Sequence, residues 1–156
     1  MNVEYINPFI EASRTVIKTV ANIDVSLGKV YLKASTYTSE TIVVIVGIMG
    51  GLRGQVMFSM DKPVSLKIAS AMMMGMTITE LDEMSKSAIA ESANMILGNA
   101  ATILYGKGIK IEITPPSLMM GDNIQISTPK MTTLCIPLNL SSGGTIELDI
   151  ALMDKD

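Results

Sequence analysis

The sequence predicts an α+β fold, with two related helix-and-strand units set about a pseudo-two-fold and a mostly antiparallel sheet carrying long helices. Three observations lead there. The elements run helix, strand, strand, strand, helix, then helix, strand, strand, strand. The closing hairpins of the two runs are alike: Gly51-Leu52-Arg53-Gly54-Gln55-Val56-Met57-Phe58-Ser59-Met60-Asp61 against Gly143-Gly144-Thr145-Ile146-Glu147-Leu148-Asp149-Ile150-Ala151-Leu152-Met153-Asp154. Each is a glycine-flanked turn, a strand and a terminal Met-Asp. Two hairpins can match by chance, but a true repeat of only two copies cannot build a solenoid, which leaves sheet on one side and helices on the other. Finally, 156 residues, 48% of them apolar, suffice for one continuous core and not for two ordinary ones, so residues 1–156 read as one domain.

The first helix is expected over Asn7 to Asn22, where Phe9, Ile10, Ala12, Val16, Ile17 and Val20 recur at helical spacing and Asn7-Pro8 supplies an N-cap and a first-turn proline. Three β-rich runs follow, Lys29 to Tyr37, Thr41 to Met49 and Gly54 to Met60, with turns at Ser39-Glu40 and Gly50-Gly51. Asp61-Lys62-Pro63 opens a second helix through Val64, Leu66, Ile68, Ala69 and Met72 that stops at Gly75. The segment Thr77 to Asp82 offers overlapping capping-box spacings ahead of the longest helix, Asp82 to Tyr105, which ends near Gly106. Lys110 to Thr114, Met131 to Leu140 and Thr145 to Met153 then read as strands, the last two joined across Ser141-Ser142-Gly143-Gly144. The cluster Met72-Met73-Met74-Gly75-Met76 could be a binding patch, but its place at a helix end that packs on a sheet makes it core filling.

Composition removes whole classes of chemistry. A net charge of −3, with no run of five or six Lys/Arg, gives no footprint for nucleic acid or anionic lipid. Without histidine the chain cannot form a Ser-His-Asp or Cys-His site, and it lacks the commonest ligand for catalytic zinc. Cys135 has no partner for a disulfide and lies in the apolar run Leu134-Cys135-Ile136, as a buried structural thiol would. Gly50-Gly51-Leu52-Arg53-Gly54 lacks the ending of a phosphate loop and leads into a strand. The N-terminus has no basic region followed by an apolar core, and the longest apolar run, Ile42 to Met49, is too short to span a bilayer, so a cytoplasmic protein is expected.

What remains is a polar ridge on the longest helix. At about 100° per residue, with Ser87 at zero, Glu91 falls at about 40°, Asn94 at about −20° and Gly98 at about 20°, while Ile89, Ile96 and Ile103 fall at about 200°, 180° and 160°. A carboxylate and a carboxamide one turn apart form a rigid probe able to enter another molecule's cleft. Such a stripe can also be a plain solvated face. Against that, no lysine or arginine follows Glu91 at i+4, and Asn94 is a poor helix former in a helix interior.

The run Ser87-Ala88-Ile89-Ala90-Glu91-Ser92-Ala93-Asn94, with Pro115-Pro116 some twenty residues beyond, resembles the signature of the CheC/CheX chemotaxis phosphatases, Asp or Ser, three residues, Glu, two residues, Asn. Tyr5-Ile6-Asn7-Pro8-Phe9-Ile10-Glu11-Ala12 resembles the CheX branch. The resemblance spans nearly the whole chain and implies a CheC-like fold, dimerisation through the sheets into a homodimer, and hydrolysis of the aspartyl phosphate on a CheY-like response regulator. It implies that Asn94 positions the attacking water as the catalytic amide. Glu91, counted with it, pairs with the lysine of the regulator's active site, and Ser87 lies at the edge of the docking contact. The chain would need no cofactor and no metal of its own, because Mg²⁺ comes with the regulator. On the first helix the matching positions are Asn7, Glu11 and Arg14; a guanidinium cannot accept a hydrogen from water, so one site per chain is expected. The alternative is a non-catalytic interaction module of the same fold, a flagellar-switch-type or adaptor domain; a soluble α+β domain with a merely polar helix face is the third reading.

Overall fold

The computed structural model describes residues 2–33, 36–39, 42–121, 124–127 and 131–154. In chain order the elements are α1 (Val3–Ala21), β1 (Val25–Leu27), β2 (Tyr31–Lys33), β3 (Thr36–Ser39), β4 (Ile42–Gly50), β5 (Leu52–Met60), α2 (Lys62–Met72), α3 (Glu83–Gly106), β6 (Ile111–Ile113), β7 (Ser117–Met120), β8 (Ile124–Ser127), β9 (Thr133–Leu140) and β10 (Thr145–Asp154). The turn expected at Ser39-Glu40 and the strand start at Thr41 reach residues 40 and 41, which lie outside the described residues.

The duplication is visible in the pairing. An eight-stranded antiparallel sheet has β10 and β5 at its centre, β9 beside β10 and β4 beside β5. Each outer strand carries two short strands end to end: β1 and β2 lie on β9, and β6 and β7 lie on β4. The two halves thus exchange their edges, since β1 and β2 of the first half pair with the second and β6 and β7 do the reverse. One strand from each half, β3 and β8, pairs in a separate two-stranded ribbon.

The expected strand from Lys29 to Tyr37 is divided between β2 and the start of β3, and β1, which was not anticipated, lies ahead of it; the reason for the break between β1 and β2 is on the neighbour. Pro137 of β9 has no N–H to offer across the gap between β1 and β2; its carbonyl instead accepts from Gly28 N–H at 2.9 Å. A Cβ on Gly28 would lie 2.8 Å from Pro137 Cβ, so only glycine fits there. In the pseudo-equivalent gap, Pro115-Pro116 separates β6 from β7, and Gly47 receives Thr114 N–H at 3.0 Å and donates to Thr114 Oγ1 at 2.8 Å. β7 and β8 were not anticipated.

Helices α1, α2 and α3 cover one face of the sheet over a core that includes Phe9, Val44, Phe58, Ile89, Leu97, Leu104, Ile136, Leu138, Leu148 and Ile150. The other face is covered as well: Val43 and Met57 are buried there, with Ile124 and Ile126 of β8 packed against them. Helix α1 begins earlier than expected, because the Asn2 side chain accepts from Glu4 N–H at 2.9 Å, and Pro8 sits inside the helix. The bond Pro8 cannot make to Glu4 is outweighed by the apolar surface that Ile6, Pro8 and Phe9 bury. Helix α2 is capped by Asp61 and ends at Met72, three residues ahead of the expected stop at Gly75, which lies in the following turn at φ 82°. The methionine cluster beyond it is not core filling: Met74 and Met76 are exposed, and Met72 alone of the five residues packs against the core.

Candidate functional site

Helix α3 is fixed at its start by a capping box. Asp82 Oδ1 accepts from Ser85 N–H at 2.8 Å, and Ser85 Oγ accepts from Asp82 N–H at 2.8 Å. The Ser85 hydroxyl, which donates to Asp82 Oδ1 at 2.6 Å, and then the Ser85 N–H hold the Asp82 carboxyl below the usual carboxylate range. Ile89, Ala93, Ile96, Leu97, Ala100 and Leu104 bury one side of the helix along its length, so the opposite ridge cannot rotate away from solvent. Ile103, expected in that buried row, is only partly covered.

The ridge carries the three predicted residues together. Ser87 and Glu91 are exposed, and Asn94 is half-buried. Asn94 lies on the shoulder of the buried arc, about 60° from Leu97. Among the described residues no ion pair and no side-chain hydrogen bond engages Ser87, Glu91 or Asn94. The neighbouring lysine, Lys86, turns back to Glu83 at 3.1 Å. Glu91 is thus a carboxylate with no partner within the described chain, one turn from an amide, on an element whose backbone is locked. Such a pair can accept a cation and hold a water by hydrogen bonds. On α1 the exposed row is Asn7, Glu11 and Arg14, without an amide at the third position.

A second polar cluster was missed by sequence reasoning. On the sheet face away from the helices, Glu147 Oε1 accepts from Tyr31 Oη at 2.7 Å and from Lys33 Nζ at 3.0 Å. Beside it Asp149 is fully buried, and neither carboxylate oxygen has a hydrogen-bond donor. Burial, followed by the neighbouring Glu147, pushes Asp149 up to about 8. Burial also acts to raise Glu147, but the neighbouring Asp149 carboxyl and the hydrogen bonds from Tyr31 and Lys33 outweigh it and hold that carboxyl below its usual range. Cys135 is buried as expected, its thiol pushed up by burial and by Asp149. Cys135, Glu147 and Asp149 place ligand atoms within 4.8 Å of one another. With a proton retained on Asp149, the Lys33 ammonium balances the charge of Glu147. The only hint in the sequence was two acidic residues two apart in an otherwise apolar strand.

Residues 42–139 match the family described as Chemotaxis phosphatase CheX. The chain is 30% identical over 152 residues to the CheY-P phosphatase CheX of Thermotoga maritima, covering 97% of each. A CheC-like superfamily protein from Shewanella sp. PV-4 superposes with a TM-score of 0.87 at 27% identity, over 98% of this chain and 99% of that one. The structure of a CheX-CheY-BeF3-Mg²⁺ complex from Borrelia burgdorferi matches with a TM-score of 0.80 at 32% identity, over 98% and 100% of the two chains. The match spans both halves of the sheet and the ridge between them, and the chain belongs to the CheX family of chemotaxis phosphatases.

Proposed function

We propose that this chain hydrolyses the aspartyl phosphate of a CheY-like response regulator, acting as one domain of 156 residues with a single site on α3. The observation that carries the proposal is the unpartnered Glu91 and Asn94 on a rigid, exposed ridge. An acyl phosphate is already activated, so the chain needs no nucleophile and no histidine; it needs to place a water in line with the phosphorus. The water oxygen attacks phosphorus, the bond to the aspartate oxygen breaks, the regulator recovers its carboxylate, and inorganic phosphate leaves bearing the oxygen and protons of the water. Asn94 orients that water through its amide, which keeps its hydrogen-bonding character across physiological pH. Glu91 pairs with the lysine of the regulator's active site and sets how deeply Asn94 enters, with Ser87 at the rim. Mg²⁺ belongs to the regulator, as does the phosphoryl group, and the chain contributes no cofactor. Orientation of the water supplies about two powers of ten in rate, or about 3 kcal/mol. The reading includes a homodimer in the cytoplasm, checked by light scattering of the purified chain.

The test is inorganic phosphate release from a phosphorylated CheY-like regulator with Mg²⁺ and catalytic amounts of the chain. Multiple turnovers above the regulator's own decay are expected. Binding without acceleration would make the chain an interaction module instead.

A further inference from the structure

The glycines of this chain divide by cause. Gly28, Gly47, Gly50, Gly51, Gly54 and Gly144 have other atoms where a Cβ would go, and Gly75, Gly108, Gly121 and Gly143 have positive φ. Gly106 is the last residue of α3, where a helix terminates. Gly98 has none of these reasons. It sits in the middle of α3 with helical backbone, and a Cβ there would meet nothing within 4 Å. A glycine in a helix interior weakens the helix relative to alanine, so the missing methyl costs stability and relieves no clash within the chain.

The open space lies on the ridge already described. Gly98 is one turn beyond Asn94 and falls at about 20° on the helical wheel, between Asn94 and Glu91. Exposed Met95 and Tyr105 flank the same strip, at about 80° and 0°. Asparagine is short. For its amide to hold a water about 2.8 Å away, itself about 3 to 3.5 Å from phosphorus, the α3 backbone must come within about 10 Å of the phosphoryl group. Any side chain on the next turn of the ridge would stand between the two backbones.

We propose that Gly98 is a clearance residue, the point at which the phosphorylated receiver protein makes its closest approach to α3. This rests on the phosphatase reading above and extends it: Gly98 sets docking depth by absence, as Glu91 does by charge. The occupant is the receiver that bears the phosphoryl group, because the vacant position at Gly98 is continuous with the ridge that carries Glu91 and Asn94.

The test compares the native chain with Gly98→Ala, Gly98→Leu and, as an off-ridge control, Gly106→Ala. Melting temperature, affinity for a BeF3-activated, Mg²⁺-loaded CheY-like regulator, and phosphate release from its phosphorylated form are measured on each. The Gly98 variants are expected to melt at or above the native temperature. Affinity should fall about ten-fold for Gly98→Ala and further for Gly98→Leu, with kcat/KM falling in step, while Gly106→Ala binds like the native chain. Native affinity in Gly98→Leu, or a lower melting temperature in Gly98→Ala, would overturn the inference while leaving native phosphate release intact. A native chain that fails to accelerate release would overturn the phosphatase reading itself.

Discussion

Replacing Asp149 by asparagine should make the protein more stable at neutral and mildly alkaline pH, an unusual outcome for a fully buried polar residue. The native carboxyl keeps its proton up to about pH 8, whereas in the unfolded chain the same group ionises near its ordinary value of 3.8. Between those values unfolding releases a proton, so stability falls as pH rises, by up to about 1.4 kcal/mol per unit, and levels off once the native group has ionised. Over about four units the ceiling is about 6 kcal/mol; relaxation around a partly ionised pair reduces this, and about 2 kcal/mol is expected between pH 5 and pH 8. Glu147 does not distort the window, since its folded value lies below its ordinary one of 4.5 and it is ionised in both states above pH 6. Its own stabilising contribution is present at neutral pH and lost in acid. An amide at position 149 keeps the shape, can donate to Glu147 and removes the titration. The assay is urea unfolding followed by far-ultraviolet circular dichroism at pH 5, 6, 7 and 8. The native curve should slope downward with pH and that of Asp149→Asn should lie higher and flatter at pH 8. Parallel curves for the two proteins would refute the protonated-pair account.

Two further substitutions test how the site is held. Ser85→Ala removes half of the α3 capping box and should cost about 1 kcal/mol, lowering the melting temperature by about 3 °C while phosphate release per folded molecule is unchanged, because the ridge begins beyond the cap. Gly54→Ala would drive a Cβ into the carbonyl oxygen of Ala151, across the central β5–β10 pair, at a backbone φ of 147°. A loss of about 3 kcal/mol or more is expected, and a native melting temperature in that variant would show that the central pair can shift.

Helix α3 and its ridge were legible because a 3.6-residue period separates polar from apolar side chains over 24 residues, leaving one face for the core and one for a partner. The paired hairpins were legible for the same kind of reason, since β5 and β10 carry glycine turns at matching places. The exchange of edges was not, because the break between β1 and β2 is dictated by Pro137, more than a hundred residues away in sequence. β7 and β8 are four residues each and draw their stability from β4 and β3, so no local pattern announced them. The start of α1 was masked by Asn7-Pro8, which has the form of a helix entrance but lies within a helix already capped by Asn2. Glu147 and Asp149 alternate with apolar residues as a solvent face would; the burial of Asp149 comes from tertiary structure that strand alternation does not encode. The ridge residues were found where expected, but the empty space at Gly98 needed coordinates, since a sequence shows a glycine and not what surrounds it.

If Asn94 positions the attacking water while Glu91 anchors the regulator, catalysis and docking separate on substitution. The direct measurement is a paired one on Asn94→Ala and Glu91→Ala: affinity for the BeF3-activated, Mg²⁺-loaded CheY-like regulator and the single-turnover rate of phosphate release at saturating chain. Asn94→Ala is expected to bind within about three-fold of native and to lose about a hundred-fold in rate, while Glu91→Ala loses affinity first. Phosphate release by Asn94→Ala at the native rate would contradict the water-positioning role.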